Sequence, residues 1–176
     1  MMTLSIDLRP KSLDEVYGHS ATVNEFKKYQ INKQWPKAIL LKGMTGIGKS
    51  TLAQIVAMAI NCSKPDEKGN PCGKCASCQG IINERFDRDT LRLDGGASGK
   101  SDVVDFGECA EIAPFFDRNK VFIIEEADGL SPSAKNAMLK LLEMPDSNIY
   151  FILLSMVNTG IPKAIQDRCQ TYNLKP

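Results

Sequence analysis

The sequence predicts an α/β fold in which a parallel sheet lies between two layers of helices. Short apolar segments of strand length alternate along the chain with longer segments of helical periodicity, as in βαβ units. Two strand segments, Lys120–Glu126 and Ile149–Ser155, contain near-continuous apolar runs, which are typical of a parallel sheet covered on both faces. Ligands of such folds bind at the carboxyl ends of the strands, so functional residues are expected there.

The five predicted strands are short apolar runs bounded by turn residues: Ala38–Leu41, Thr90–Asp94, Lys120–Glu126, Ile149–Ser155 and Gln170–Leu174. The four predicted helices have apolar residues at helical spacing: Ser20–Ile31, Ser50–Asn61, Asp102–Ala113 and a last helix that begins at Pro132. Together these nine elements predict a five-stranded parallel sheet.

Individual residues mark the helix ends. The second helix is predicted to have one apolar face, formed by Leu52, Ile55, Val56 and Ala59. Pro114 stops the third helix, because proline cannot continue a helix. Ser131 can cap the fourth helix and Pro132 suits its first position, while Pro145 marks its expected end.

Length and composition indicate an ordinary soluble domain spanning residues 1–176. The chain has 176 residues, 43% hydrophobic and 24% charged, which is enough for a hydrophobic core. Its net charge of +1 excludes a globally polyanion-binding surface, so any nucleic-acid contact must be local. The N-terminus lacks the apolar core of a signal peptide and no run reaches transmembrane length. We therefore expect a cytoplasmic protein without a membrane partner.

A glycine-rich loop follows the first strand and opens the second helix. Residues 43–50 read G-x-x-x-x-G-K-S, the phosphate-binding P-loop. Its glycines let backbone N–H groups point into one concavity, and the helix N-terminus adds positive potential there. Lys49 would reach the β- and γ-phosphates and Ser50 would bind Mg²⁺. The alternative is an ordinary glycine-rich turn. The predicted ATP-binding residues here are Gly43, Thr45, Gly46, Ile47, Gly48, Lys49, Ser50 and Thr51.

An acidic pair, Glu125 and Glu126, follows the apolar run of the third strand. This is the Walker B arrangement of P-loop ATPases, in which the first carboxylate helps to hold Mg²⁺ and the second orients the attacking water. The first residue is usually aspartate, so Glu125 carries one extra methylene and altered Mg²⁺ coordination is expected. The alternative is two solvated acids at the end of a strand.

Four cysteines, Cys62, Cys72, Cys75 and Cys78, are spaced C-x9-C-x2-C-x2-C in a polar, turn-forming segment at residues 62–78. Their spacing predicts a tetrahedral Cys₄ zinc site, which is structural because four thiolates leave no open coordination position. Disulfides are the alternative, which a cytosolic location disfavours. The remaining cysteines, 109 and 169, are predicted to be small buried hydrophobes.

Taken together, these motifs resemble the γ/τ subunits of bacterial DNA polymerase III, AAA+ ATPases of the clamp loader. The segment 9–19 is similar to the family's opening R-P-x-x-F-x-E/D-V-x-G-Q, with Leu13 replacing the aromatic residue and His19 replacing glutamine. Residues 93–98 are similar to its D-A-A-S segment, and residues 136–145 to N-A-L-L-K-T-L-E-E-P. The resemblance implies an adenine pocket lined by Arg9, Pro10, Val16, Tyr17 and Gly18.

The resemblance also assigns roles near the end of the chain. Residues 161–169 look like L-P-x-x-I-x-S-R-C, whose arginine enters the neighbouring subunit's ATP site; Arg168 matches it. Asp167 replaces the family's serine, and its carboxylate is expected to pair with Arg168. Without the resemblance, the sequence would indicate only a surface arginine at position 168. Ser155 matches the sensor-1 position that contacts the γ-phosphate or the attacking water. The segment 98–101 matches a DNA-contacting loop, or is simply a solvated turn.

The lid and collar domains of full-length clamp-loader ATPases do not fit within residues 1–176, so we expect weak nucleotide binding and little turnover. The resemblance implies ATP, Mg²⁺ and structural Zn²⁺ as cofactors. It implies other clamp-loader subunits, a sliding clamp and primer–template DNA as partners. Two alternatives are a non-hydrolysing, zinc-bearing scaffold subunit that donates Arg168, and a small-molecule P-loop kinase, which the cysteine cluster disfavours.

Overall fold

The computed structural model describes residues 9–86, 89–144, 148–157 and 160–175. The chain divides into two compact units. The first comprises residues 9–35 with 50–85, and the second comprises residues 36–49 with the described part of 86–175. Within the described ranges, no helix is both long and apolar enough to cross a membrane.

The second unit contains a five-stranded sheet in the order β2-β3-β4-β1-β5, with every neighbouring pair parallel. Its strands are β1 (Ala38–Lys42), β2 (Thr90–Asp94), β3 (Lys120–Glu125), β4 (Ile149–Ser155) and β5 (Gln170–Asn173). The predicted five-stranded parallel sheet is confirmed, and each strand begins at the predicted residue. Because all strands are parallel, Lys42, Glu125 and Ser155 end at the same edge of the sheet.

Helices α4 (Lys100–Glu111) and α5 (Pro132–Leu142) pack with the sheet in one hydrophobic core. Phe122 of β3 lies at its centre, with its ring centroid 5.1 Å from that of Phe106 and 5.3 Å from that of Phe151. Phe122 is fully buried, which stabilises the fold by about 1.5–3 kcal/mol relative to an exposed side chain.

The start of each of these helices has a local cause. Ser131 caps α5 as predicted, because its hydroxyl accepts a hydrogen bond from the Ala134 N–H at 3.2 Å. Helix α4 begins two residues before the predicted Asp102, because the Asp102 carboxylate accepts the N–H of Gly99 at 2.7 Å and thereby caps the helix. Helix α5 ends at Leu142, and Pro145 lies outside the described residues.

Helices α1 (Ser20–Asn32), α3 (Ala76–Ile82) and nearly all of α2 (Lys49–Asn61) belong to the first unit. The four residues of the predicted apolar face of α2 are buried, but burial is not limited to that face, since every residue from Leu52 to Ala59 is buried. The sequence pattern did not predict α3 or the short α6 (Lys163–Gln166) of the second unit.

Candidate functional site

The glycine-rich loop connects the end of β1 to the first residue of α2. Gly46 and Gly48 adopt φ angles of 80° and 100°, which residues with a side chain rarely adopt. Gly43 is closely packed, because a Cβ there would lie 2.7 Å from Cγ2 of Ile47 and 3.2 Å from Cβ of Leu174. A side chain at position 43, 46 or 48 would therefore disturb the loop, which explains why the predicted phosphate-binding sequence has glycine at these positions.

Lys49 places its ammonium group inside this loop. Its Nζ donates hydrogen bonds to the carbonyl oxygens of Gly43, at 2.7 Å, and Met44, at 2.9 Å. Burial lowers the pKa of Lys49 below its usual value, and the negative charges of Asp128 and Glu126 offset only part of this decrease. The loop thus holds a cation that is influenced by the charges of two carboxylates of the segment after β3. Sequence reasoning named Glu126 but missed Asp128.

The first acid of the pair, Glu125, is the last residue of β3 and is ion-paired. Its Oε2 lies 2.8 Å from Nη2 of Arg92, on the neighbouring strand β2. The guanidinium of Arg92 also lies over the ring of Phe86, 5.3 Å from the ring centroid. Sequence reasoning predicted Glu125 as a Mg²⁺ ligand and missed Arg92, because residues 33 positions apart meet only once strand register is known.

The second acid, Glu126, has a φ angle of 46°, in the left-handed region that is uncommon for residues other than glycine. Its carbonyl accepts the N–H of Gly129 at 2.7 Å. A Cβ at Gly95 would lie 2.5 Å from this carbonyl oxygen, and one at Gly96 would lie 2.7 Å from Oε2 of Glu126. Two glycines after β2 therefore allow the acidic turn to approach closely.

Ser155, the predicted sensor, ends β4 beside the glycine-rich loop. Its carbonyl accepts the N–H of Gly43 at 3.2 Å, which joins the two segments. Its hydroxyl donates to the carbonyl of Met156 at 3.0 Å, and the residue is buried. The N–H of Met156 donates to Oδ1 of Asp128 at 3.3 Å. The structure therefore connects the loop, the acidic turn and the end of β4 within the second unit.

Arg168, the predicted arginine finger, follows α6 and is exposed. Its Nη1 donates to the carbonyl of Ala164 at 2.8 Å, and its Nη2 pairs with the carboxylate of Glu143. The expected pairing with Asp167 is therefore replaced by one with a residue at the end of α5.

The predicted adenine-contacting residues lie in the first unit. Nη1 of Arg9 donates to Oε1 of Gln54, at 3.0 Å, and to Oε1 of Glu84, at 3.2 Å. The buried Nε2 of Gln54 has no hydrogen-bond partner among the described residues. Arg9, Pro10 and Gln54 line a cavity of about 20 Å³, which is large enough for a water molecule but too small for an adenine ring.

The other predicted residues of this segment do not line that cavity. Val16 is half-buried, whereas Tyr17 and Gly18 are exposed. Ser50 and Thr51, the first α2 residues of the first unit, are half-buried.

The four predicted zinc ligands converge in the first unit. The Sγ atoms of Cys62, Cys72, Cys75 and Cys78 all lie within 4.8 Å of one another, and all six cysteines of the chain are free thiols. Four thiolates bonded to Zn²⁺ at about 2.3 Å lie about 3.8 Å apart, so this arrangement fits a tetrahedral site.

Backbone N–H groups already point at these sulfur atoms. The N–H of Cys72 donates to Sγ of Cys62 at 3.2 Å, and that of Cys75 donates to Sγ of Cys72 at 3.3 Å. Burial opposes ionisation of Cys75, but hydrogen bonds from the N–H groups of Cys78 and Ser63 and from neighbouring thiols lower its pKa to about 6. Burial raises the pKa of Cys78. The donor set and the N–H bonds suit a thiolate-bound metal.

The sheet order, the glycine-rich loop after β1 and the acidic pair after β3 define a P-loop NTPase domain of the AAA+ type. Solved structures share this fold. A DNA polymerase III γ-subunit-related protein of Thermotoga maritima matches 86% of this chain and 46% of its own, at 16% identity and a TM-score of 0.62. The Thermotoga maritima RuvB Holliday junction branch migration motor matches 96% of this chain and 48% of its own, at 18% identity and a TM-score of 0.59.

The family described as DNA polymerase III, delta subunit, matches residues 18–176, and the chain belongs to this family. DNA polymerase III subunit tau of Bacillus subtilis is 34% identical over 170 residues, which are 95% of this chain and 30% of that protein. The tau subunit of Escherichia coli is 30% identical over 168 residues, 95% of this chain and 26% of that protein.

A plant protein is also related: STICHEL-like 1 of Arabidopsis thaliana is 30% identical over 175 residues, 98% of this chain and 16% of that protein. The chain thus spans less than a third of the length of these three curated relatives. The predicted resemblance to the polymerase III γ/τ subunits is confirmed.

Proposed function

We propose that this chain is the ATP-binding and ATPase core of a DNA polymerase clamp loader. ATP binding and hydrolysis in this core would be coupled to loading a sliding clamp onto primed DNA in the cytoplasm. The observation that carries the proposal is the position of Lys49, whose ammonium group lies inside the glycine-rich loop and feels the negative charges of Glu126 and Asp128. This is the charge arrangement that phosphoryl transfer from a nucleoside triphosphate requires.

In this proposal the residues of the glycine-rich loop and of the strand ends have distinct tasks. Backbone N–H groups of the loop between Met44 and Lys49 would bind phosphate oxygens, and Lys49 would exchange its carbonyl hydrogen bonds for bonds to them. Ser50 and Glu125 would hold Mg²⁺, which neutralises developing charge on the phosphates. Glu126 would orient or activate the attacking water, and Ser155 would contact the γ-phosphate or that water.

Arg168 acts in trans in this proposal. Its guanidinium would enter the ATP site of a neighbouring subunit and offset negative charge on the transferring phosphoryl group. Arg168 is exposed at the end of α6, which suits a role outside its own subunit.

The cysteine cluster would bind a structural Zn²⁺ ion. The segment 62–78 has polar, turn-forming residues and little apolar surface of its own, so metal–thiolate bonds would supply the stability that a core cannot. The closed set of four thiolates gives the ion no catalytic position.

An exposed apolar segment after α4 is our proposed contact surface for the sliding clamp. The side chains of Ile112, Phe115 and Phe116 are 53%, 56% and 79% exposed. Aromatic side chains exposed in this way are typical of protein-binding surfaces. Asp89 holds the segment in place, because its carboxylate accepts the N–H groups of Phe115 and Phe116.

A second candidate is a scaffold subunit of the clamp loader that binds zinc and donates Arg168 but does not hydrolyse ATP. The ion pair between Arg92 and Glu125 favours it, because it engages the carboxylate expected to hold Mg²⁺. The intact glycine-rich loop disfavours it, since a subunit without ATP chemistry has no need of Lys49.

Steady-state phosphate release by the assembled complex separates the two candidates. If this chain is an ATPase, primed DNA should accelerate phosphate release by the complex. Glu126→Gln should abolish phosphate release at the ATP site of this subunit. A complex whose phosphate release is the same with wild-type and Glu126→Gln subunits would instead identify the scaffold.

A further inference from the structure

Arg92 and Glu125 are held together by the register of two strands. Arg92 of β2 is paired with Ile123 of β3, and Glu125 lies two residues further along β3. Side chains two residues apart point to the same face of a sheet, so Arg92 and Glu125 share one face. Their side chains meet at 2.8 Å between Nη2 and Oε2.

The length of Glu125 matters to this contact. The side chain of an aspartate is shorter than that of Glu125 by one carbon–carbon bond. Its carboxylate would therefore lie about 1.5 Å closer to the backbone. The departure from the usual Walker B aspartate thus coincides with a pairing partner on the neighbouring strand.

The guanidinium of Arg92 has a second support. It lies over the ring of Phe86 at 5.3 Å, so its orientation toward Glu125 does not depend on the ion pair alone. The Arg92 side chain is 35% exposed and that of Glu125 is 20% exposed, so the pair is partly screened by water and can exchange.

We propose that Arg92 is a positioning residue that holds the Glu125 carboxylate in an ion pair and competes with Mg²⁺ for it, which raises the Mg²⁺ concentration that nucleotide binding requires. This inference rests on the proposed function, in which Glu125 is a Mg²⁺ ligand. Removal of the Arg92 charge should free the carboxylate, and a carboxylate without a competing cation binds a hard divalent ion more tightly.

The test measures ATP binding by titration calorimetry at a series of Mg²⁺ concentrations, with the chain as it exists. Arg92→Gln removes the charge and is expected to lower the half-saturating Mg²⁺ concentration about two- to fivefold, the range of a partly exposed ion pair. Arg92→Lys keeps the charge and should remain near the wild type. Arg118→Gln, at an exposed arginine, is the matched charge control.

A second variant approaches the pair from the other side. Glu125→Asp should shorten the carboxylate out of reach of Arg92 and also lower the Mg²⁺ requirement. Arg92→Gln should then have no further effect in the Glu125→Asp background, because the two changes remove the same interaction. ATP binding without Mg²⁺ should be unchanged by Arg92→Gln.

An unchanged Mg²⁺ requirement in Arg92→Gln, with ATP binding retained, would overturn this inference and leave the proposed function intact. Equal effects of Arg92→Gln and Arg118→Gln would overturn it as well, because general charge would then explain the change. A wild-type chain that binds no ATP at any Mg²⁺ concentration would overturn both the inference and the proposed function.

Discussion

The guanidinium of Arg168 is ion-paired with the carboxylate of Glu143, which lies 25 positions earlier at the end of α5. Both side chains are exposed, so the pair is weak and, under the proposed role of Arg168, can open toward the phosphate of a neighbouring subunit. Glu143 belongs to the segment that matches N-A-L-L-K-T-L-E-E-P, and Arg168 belongs to the one that matches S-R-C. The pair therefore links two motifs through one contact.

The first prediction concerns this contact. Glu143→Gln should free Arg168 and increase phosphate release at the neighbouring site of the assembled complex about two- to fivefold, as expected for loss of an exposed ion pair. Asp167→Asn is the control, because Asp167 is adjacent in sequence but Glu143 is the paired residue. A larger effect of Asp167→Asn than of Glu143→Gln would contradict this assignment.

The second prediction concerns zinc. Protein produced in zinc-supplemented medium should contain about one Zn²⁺ per chain by elemental analysis, and Cys75→Ser should lose it and unfold at lower temperature. Cys109→Ser should keep the metal, since Cys109 lies in α4 outside the cluster. Wild-type protein that contains no zinc, or a Cys75→Ser variant that retains it, would refute the metal site.

The third prediction concerns stability and pH. Burial would raise the pKa of Asp89, but hydrogen bonds from the N–H groups of Phe115, Phe116 and Asp117 outweigh burial and hold the pKa below that of an ordinary aspartate. A lowered folded-state pKa contributes stability above the unfolded pKa, and this stability is lost as pH falls through the folded value.

Asp89→Asn should therefore reduce the free energy of unfolding by about 1–3 kcal/mol at pH 7, and by less below pH 4. Urea denaturation at both pH values measures the difference. Asp105→Asn, at an exposed aspartate of α4, should change little at either pH. If the loss of unfolding free energy caused by Asp89→Asn were instead larger at low pH than at pH 7, the stabilising role of the Asp89 carboxylate would be excluded.

The fourth prediction concerns the clamp. Phe116→Ala should weaken binding of the cognate sliding clamp at least about thirtyfold by surface plasmon resonance, if this 79% exposed ring is an interface anchor. Ile31→Ala removes another exposed apolar side chain, 56% exposed on α1, and should not change clamp binding. Equal clamp binding by the wild type and Phe116→Ala would exclude this surface.

The strands could be predicted from sequence because near-continuous apolar runs such as Val121–Ile124 have few alternatives to a buried strand. The glycine-rich loop and the cysteine cluster could be predicted because each needs particular residue types at fixed spacing. Helix α3 could not be predicted, because its seven residues begin directly after Cys75 within the cysteine segment rather than following a long apolar periodicity.

The ion pairs could not be predicted, for a different reason. Arg92 meets Glu125 through the β2–β3 register, and Arg168 meets Glu143 through the approach of the chain after α6 to the end of α5. Sequence spacing carries no record of either contact. Both pairs involve a residue for which the sequence predicts a role with nucleotide, namely Glu125 and Arg168. In the structure each of these two charged side chains already has an ion-pair partner.

Titration calorimetry of ATP binding in the presence of Mg²⁺, with wild type, Lys49→Ala and Lys140→Ala compared, most directly tests the proposed ATP site. Lys140 is an exposed lysine of α5 and serves as the matched control. Lys49→Ala should bind ATP at least about tenfold more weakly, because it loses charge-assisted hydrogen bonds to phosphate, whereas Lys140→Ala should bind like the wild type. Equal ATP binding by wild type and Lys49→Ala, or no binding by wild type at millimolar ATP, would contradict the proposed ATP site.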